Sequence, residues 1–230
     1  MKRLLVAFAV ATIGAQSVSA QVTVVDDGSF TISRAGERLG REDFSVRHVP
    51  TTAGSFATLT RGVVVLGTRR LTVELSADSI GLPANYQAKS AVDGRTGDSY
   101  RAEVSGRRYS ARSVRGKGES ASELLLPSGA LIVEDGLLHP LQFVVARGRG
   151  TVPAVIPSRG VVVTLVIEDA GVDHVSIALQ SIEARKYIVR EAGGKDRQVW
   201  VDTAGRLLRV AIPADQLVAT RDDAPRSASR

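Results

Sequence analysis

The chain has 230 residues, with 30 Lys and Arg against 24 Asp and Glu, three His and no Cys. A hydrophobic share of 43% and a charged share of 23% suit a soluble domain with a real core. They exclude global disorder, collagen-like repeats and a polytopic membrane protein. The lack of Cys removes disulfide scaffolds, thiolate nucleophiles, Cys-ligated zinc and iron–sulfur clusters.

Residues 1–20 read as a secretory signal peptide. Lys2 and Arg3 form its basic start. Leu4 to Gly14 is an apolar run too short to span a bilayer, and Val18 and Ala20 offer small residues before a cut at Gln21. Cleavage leaves no transmembrane segment and predicts a periplasmic or secreted protein. Loss of Lys2 and Arg3 leaves 28 basic against 24 acidic side chains, a net charge of +4. Such a mild, scattered charge implies a solvated surface and no nucleic-acid site.

Period-two alternation dominates the rest. Strands are predicted at about 22–25, 28–35, 40–49, 56–66, 69–77, 84–92, 98–105, 107–115, 120–126 and 130–133. After a break, others follow at about 161–168, 174–181, 184–192, 196–202 and 206–212, all with boundaries uncertain by roughly two to four residues. Leu71, Val73 and Leu75 share one face, as do Leu208, Val210 and Ile212. Asp27-Gly28, Asp93-Gly94, Ser105-Gly106 and Gly193-Gly194 signal tight turns, and Asp202 to Gly205 fits a four-residue hairpin loop. Short strands joined in this way make an antiparallel meander.

One segment departs from that rhythm. Leu137, Leu138, Leu141, Val144 and Val145 are spaced as on a helix, starting near Pro140 and ending at Gly148 or Gly150. The alternative is a strand over 141–146. Gly148 to Gly160 holds Pro153 and Pro157 and reads as a linker or a loop crossing one sheet. Residues 21–220 then form a single β-rich domain. Polar Arg221 to Arg230, with Pro225, is expected to be a disordered tail.

Candidate chemistry is thin. His48, His139 and His174 lie far apart without metal-ligand spacing, so neither a metal nor a cofactor is expected. There is no G-x-S-x-G elbow. Asp26-Asp27 and Glu42-Asp43 are adjacent pairs, whose side chains face opposite ways on a strand. Arg115 to Ser120 lacks phosphate-loop spacing and reads as a hairpin turn. No enzyme is expected on these grounds.

Three segments carry a family resemblance: FTISRAGERLGREDFSV (Phe30 to Val46), GLLHPLQFVVA near the helix, and RQVWVDTAGRLLRVAIP (Arg197 to Pro213). With the signal peptide, their order over about residues 28–213 resembles the periplasmic lipoprotein carriers of half-barrel fold. The resemblance implies a curved antiparallel sheet whose apolar concave face is partly plugged by helix. Those carriers hold acyl chains there, under several helices where this chain has one.

The expected fold is therefore mainly β: a curved antiparallel meander, half-barrel or open barrel, with one short helix. A long meander with one helix cannot cover both faces of a broad sheet, so either the sheet curls until it covers itself or an apolar face awaits a ligand or partner. The expected function is non-covalent binding of a lipid or other hydrophobic ligand. Phe44, Val64, Leu71, Val73, Phe143, Trp200 and Leu208 are the expected lining. The alternative is an envelope structural or protein-interaction module, pairing with another protein through a sheet edge or face.

Overall fold

The computed structural model describes residues 21–52 and 54–226. The predicted signal peptide lies outside these residues, as do residues 227–230 of the predicted tail. All fifteen strands join one curved, unclosed sheet.

The first eight strands run as neighbours in chain order: β1 (Thr23–Arg34), β2 (Glu37–Pro50), β3 (Phe56–Leu66), β4 (Arg69–Ala77), β5 (Pro83–Val92), β6 (Arg95–Ser105), β7 (Arg108–Arg115) and β8 (Gly118–Leu125). Their turns are as short as the sequence implied. Ala35 and Gly36 both take positive φ, as do Asp93 and Gly94, which twists each hairpin with the strands it joins. Asp27-Gly28 is not a turn, because β1 runs straight through it.

A crossover, residues 126–149, leaves β8 and passes through the interior. It carries β9 (Leu131–Ile132) and one short helix, α1 (Leu141–Val145). Pro140 precedes the helix with helical φ, and Gly148 at positive φ follows it, as predicted from the helical spacing.

The remaining strands are β10 (Gly150–Ile156), β11 (Val161–Ile177), β12 (Gln180–Glu191), β13 (Arg197–Val201), β14 (Leu207–Ile212) and β15 (Leu217–Arg221). β10 occupies the expected linker. It carries Pro153, tolerable because β9 meets β10 only at Ala154 and Val155 and leaves the rest as an edge. β15 lies in the middle of the sheet, hydrogen-bonded to β1 and β14. Its last residue, Arg221, falls within the predicted tail yet is buried, and the Asp222 N–H donates to Ser29 O.

The concave face holds the main core. Phe30, Ile32, Phe44, Val64 and Val73 pack on crossover residues such as Leu137, Leu141 and Val144. The convex face is mostly polar. Across β3 to β7, Arg61, Glu74, Gln87, Arg101 and Arg112 stand opposite one another in turn, a row suited to water.

The convex face is covered in one place. A register break between Asp169 and Val172 bends the long β11–β12 hairpin, with the Gly171 N–H donating to Asp169 Oδ1. The tip of the hairpin packs Val175, Ile177 and Ala184 on Trp200, Leu208 and Ala211. Trp200 Nε1 donates to Asp173 Oδ2 at 2.8 Å. The last three residues of β13, Val199 to Val201, are thus buried on both faces, which accounts for their unbroken apolar run.

Candidate functional site

The seven residues expected to line a site fall into two groups. Phe44, Val64 and Val73 are buried on the concave face, with Leu71 and Phe143 half-buried against the same core. Trp200 and Leu208 lie on the convex side, beneath the β11–β12 hairpin. Leu208 was expected to share a face with Val210. It does not, because Trp200 pairs with Arg209 while Val201 pairs with Leu207. Leu208 is the extra residue of a bulge there, and a bulge inverts the alternation.

The concavity is filled by the chain itself, and two carboxylates fasten the filling. Glu42 on β2 is fully buried and points inward with Phe44 and Val46. It accepts the N–H of Leu138 at 2.7 Å, the N–H of His139 at 3.0 Å and His139 Nδ1 at 2.8 Å. Asp43 faces outward to Arg41, so the adjacent pair splits as expected. In the reverse sense, Glu134 of the crossover accepts the Tyr86 hydroxyl of β5. Burial, reinforced by the Glu134 charge, pushes the Tyr86 hydroxyl far above its ordinary range, so it remains a donor.

The His139 ring stacks on Phe44 at 5.7 Å between centroids and sits over Gly62. A Cβ at residue 62 falls 2.7 Å from His139 Cε1 and 2.7 Å from Leu137 Cδ1. Gly62→Ala is therefore expected to cost about 1–3 kcal/mol by overpacking. Urea unfolding checks this, and an unchanged midpoint contradicts the seating of His139.

A buried ion pair lies at the β1–β15 seam. Arg221 donates to Asp26 Oδ1 and Oδ2 at 2.7 and 3.0 Å and to the Asp27 carbonyl at 2.6 Å. Its guanidinium covers the Phe44 ring at 5.2 Å. Gly28 leaves room for it, since a Cβ there meets Arg221 Nη2 at 2.9 Å.

One space left open is a cleft of about 410 Å³ at one mouth of the barrel, between the crossover and the sheet; a smaller gap of about 40 Å³ beside Phe143, Leu131 and Ile132 is another. Leu137, Leu138, Leu141, Val210, Ile212 and Leu217 form the apolar wall of the mouth cleft. Its rim carries Arg159, Lys195 and Arg197 with Asp135, Glu191 and Asp215. Arg159 grips both Glu191 oxygens at 2.8 Å and reaches Asp135 at 3.0 Å. None of the seven expected residues lines this cleft.

The Arg159 fork holds the Glu191 carboxyl below its usual value of 4.5. The folded state thus favours the carboxylate. This contribution is complete above about pH 4.5 and is lost as pH falls through the lowered value. Arg159→Met is expected to flatten that acid limb in thermal melts taken from pH 6 down to pH 3. An unaltered limb counts against the pair.

Two signals in the sequence could have found these groups. Glu42 sits in the apolar phase of its strand, and Gly62 interrupts the inward phase of β3. The rim residues come from four separated segments and carry no local signal. Among the described residues there is no cluster of His, Asp and Glu able to hold a metal, and no helix long and apolar enough to cross a membrane.

No family model matches the chain, and no curated protein matches it in sequence. Among solved structures, the chain is similar to a β-barrel-like protein of a domain of unknown function, DUF1849, from Brucella abortus. The TM-score is 0.52 over 85% of this chain and 94% of that one, at 12% identity. This likeness establishes a β-rich, barrel-like fold. It supports the fold that the resemblance implied without singling out the lipoprotein carriers.

Proposed function

We propose that this is an exported envelope protein that binds a lipid or other hydrophobic molecule non-covalently, in the mouth cleft. The observation that carries the reading is a concave space of about 410 Å³ with an apolar wall and a charged rim. Its size lies in the range of small-molecule sites, roughly 300–1,000 Å³. The basic start, short apolar run and small residues at Val18 and Ala20 support export. The resemblance to acyl-chain carriers points to the same ligand class. The binding site moves, however, from the expected concave-face residues to the cleft that the crossover leaves open.

The test is native mass spectrometry with solvent extraction, on protein purified from periplasm without detergent. A co-purifying lipid is expected. Leu217→Trp fills the cleft and is expected to abolish it while the fold persists by circular dichroism. A clean mass for the unaltered protein, with no binding of an apolar dye, overturns the reading.

One observation favours the interaction module as a second reading. β8 pairs only with β7, nearly all its residues are exposed, and Leu125 is 70% exposed. Such an edge accepts an added strand. Capture of an envelope protein that is lost in Ala121→Pro supports this reading. Equal capture by both proteins, or none, counts against it.

A further inference from the structure

We infer that the molecule held in the mouth cleft is an amphiphile with an oxyanion head, a carboxylate or a phosphate ester, taken by Arg197. This rests on the reading that the cleft binds an apolar chain.

The cleft lining is uneven in hydrogen bonding. Arg159, Lys195 and Arg197 stand against Asp135, Glu191 and Asp215, and a fourth carboxylate, Glu134, is taken by the Tyr86 hydroxyl and the Asp135 N–H. The acceptors are largely engaged. Arg159 takes both Glu191 oxygens and Asp135 Oδ2, and Lys195 takes Asp215 Oδ1. Arg197 receives none of them. Its Nη2 is 3.9 Å from Asp135 Oδ1 and 3.9 Å from Glu191 Oε2, beyond hydrogen-bond length. Among the described residues the Arg197 side chain makes no hydrogen bond, although a guanidinium carries five N–H donors.

The Arg197 side chain is only 19% exposed, though its donor nitrogens still reach solvent. A partly sheltered fork with unused donors prefers a planar, two-oxygen acceptor. It stands at the lip of an apolar wall, where the head of a bound amphiphile comes to rest. The two carboxylates at 3.9 Å oppose a second anion but favour holding the guanidinium in place. Glu191 is itself neutralised by the Arg159 fork, which lessens that opposition.

The test is displacement of N-phenyl-1-naphthylamine, a neutral apolar probe, from the full purified protein. The competitors share a twelve-carbon chain: dodecanoic acid, dodecyl phosphate and 1-dodecanol. An oxyanion head is expected to improve competition over the alcohol by about tenfold or more, the worth of a charge-assisted hydrogen bond. A stronger carboxylate than phosphate points to a free fatty acid, and the reverse to a lysophospholipid. In Arg197→Gln the acids and the alcohol are expected to compete alike. Equal competition by all three in the unaltered protein overturns the oxyanion head and leaves the apolar cleft standing. Failure of probe and competitors to bind overturns both. The comparison of heads needs no variant, so it holds even if Arg197→Gln fails to fold.

Discussion

Glu42→Ala is expected to destabilise the fold by about 3–5 kcal/mol, since three buried donors lose their acceptor at about 1–3 kcal/mol each. The change strips the acceptor from the Leu138 N–H, the His139 N–H and His139 Nδ1 together. All three then lie buried without water to replace it. Glu42→Gln keeps one carbonyl acceptor and is expected to lose less. Urea denaturation measures the loss. Trypsin reports where it falls, since Arg147 and Arg149 lie exposed at the end of the crossover. Faster cleavage there in Glu42→Ala, with the sheet strands still protected, shows that the carboxylate fastens the crossover to the wall. A loss under about 1 kcal/mol would sink that role.

Arg221→Met is expected to cost a similar amount, about 3–5 kcal/mol, because it leaves Asp26 buried and unpaired. Asp26 is 6% exposed and Arg221 4%, so neither charge can turn to water. The informative comparison is the double variant Asp26→Leu with Arg221→Met. Two apolar residues of suitable volume are expected to recover most of the loss, since the pair itself contributes little beyond its own desolvation. If the double variant is no better than the single, the guanidinium matters chiefly for its packing on Phe44 and its bonds to backbone carbonyls. Midpoints of chemical unfolding for the three proteins decide between these outcomes.

The local architecture was largely legible in the sequence. The alternation of β3 and β4 and the Asp93-Gly94 turn appear in the structure where the spacing put them. So does the helical spacing of Leu137 to Val145, though only as one turn and a half. The failures each have a local cause. Leu208 was placed with Val210 because a bulge leaves no mark in a hydrophobic pattern. β10 was hidden by Pro153, a residue admissible only because this strand lies near an edge. β15 was missed altogether, because Arg221 looked like the start of a polar tail and its partner Asp26 is 195 residues away. That distance also explains the rest of the site. The fork on Glu191, the Arg221 pair and the Tyr86 hydroxyl on Glu134 all depend on contacts across the sheet, which no local window reveals.

The strand order has a consequence for the chain as a whole. Read across the sheet from β9, the order is β9 to β15, then β1 to β8. That is the order along the chain, rotated. The first and last strands therefore meet side by side in mid-sheet, with the Asp222 N–H on Ser29 O, while the free edges, β8 and β9, belong to the middle of the chain. A circular permutant joined from residue 226 to residue 21 and opened in the crossover after Pro127 is an up-and-down meander from β10 onward, preceded by the parallel β9–β10 pair. Every pairing then lies between consecutive strands. In the natural order the seam between β1 and β15 closes only after the last strand exists, so the first eight strands wait with an unsealed inner face. The permutant removes that wait, and its lower mean contact separation favours faster folding.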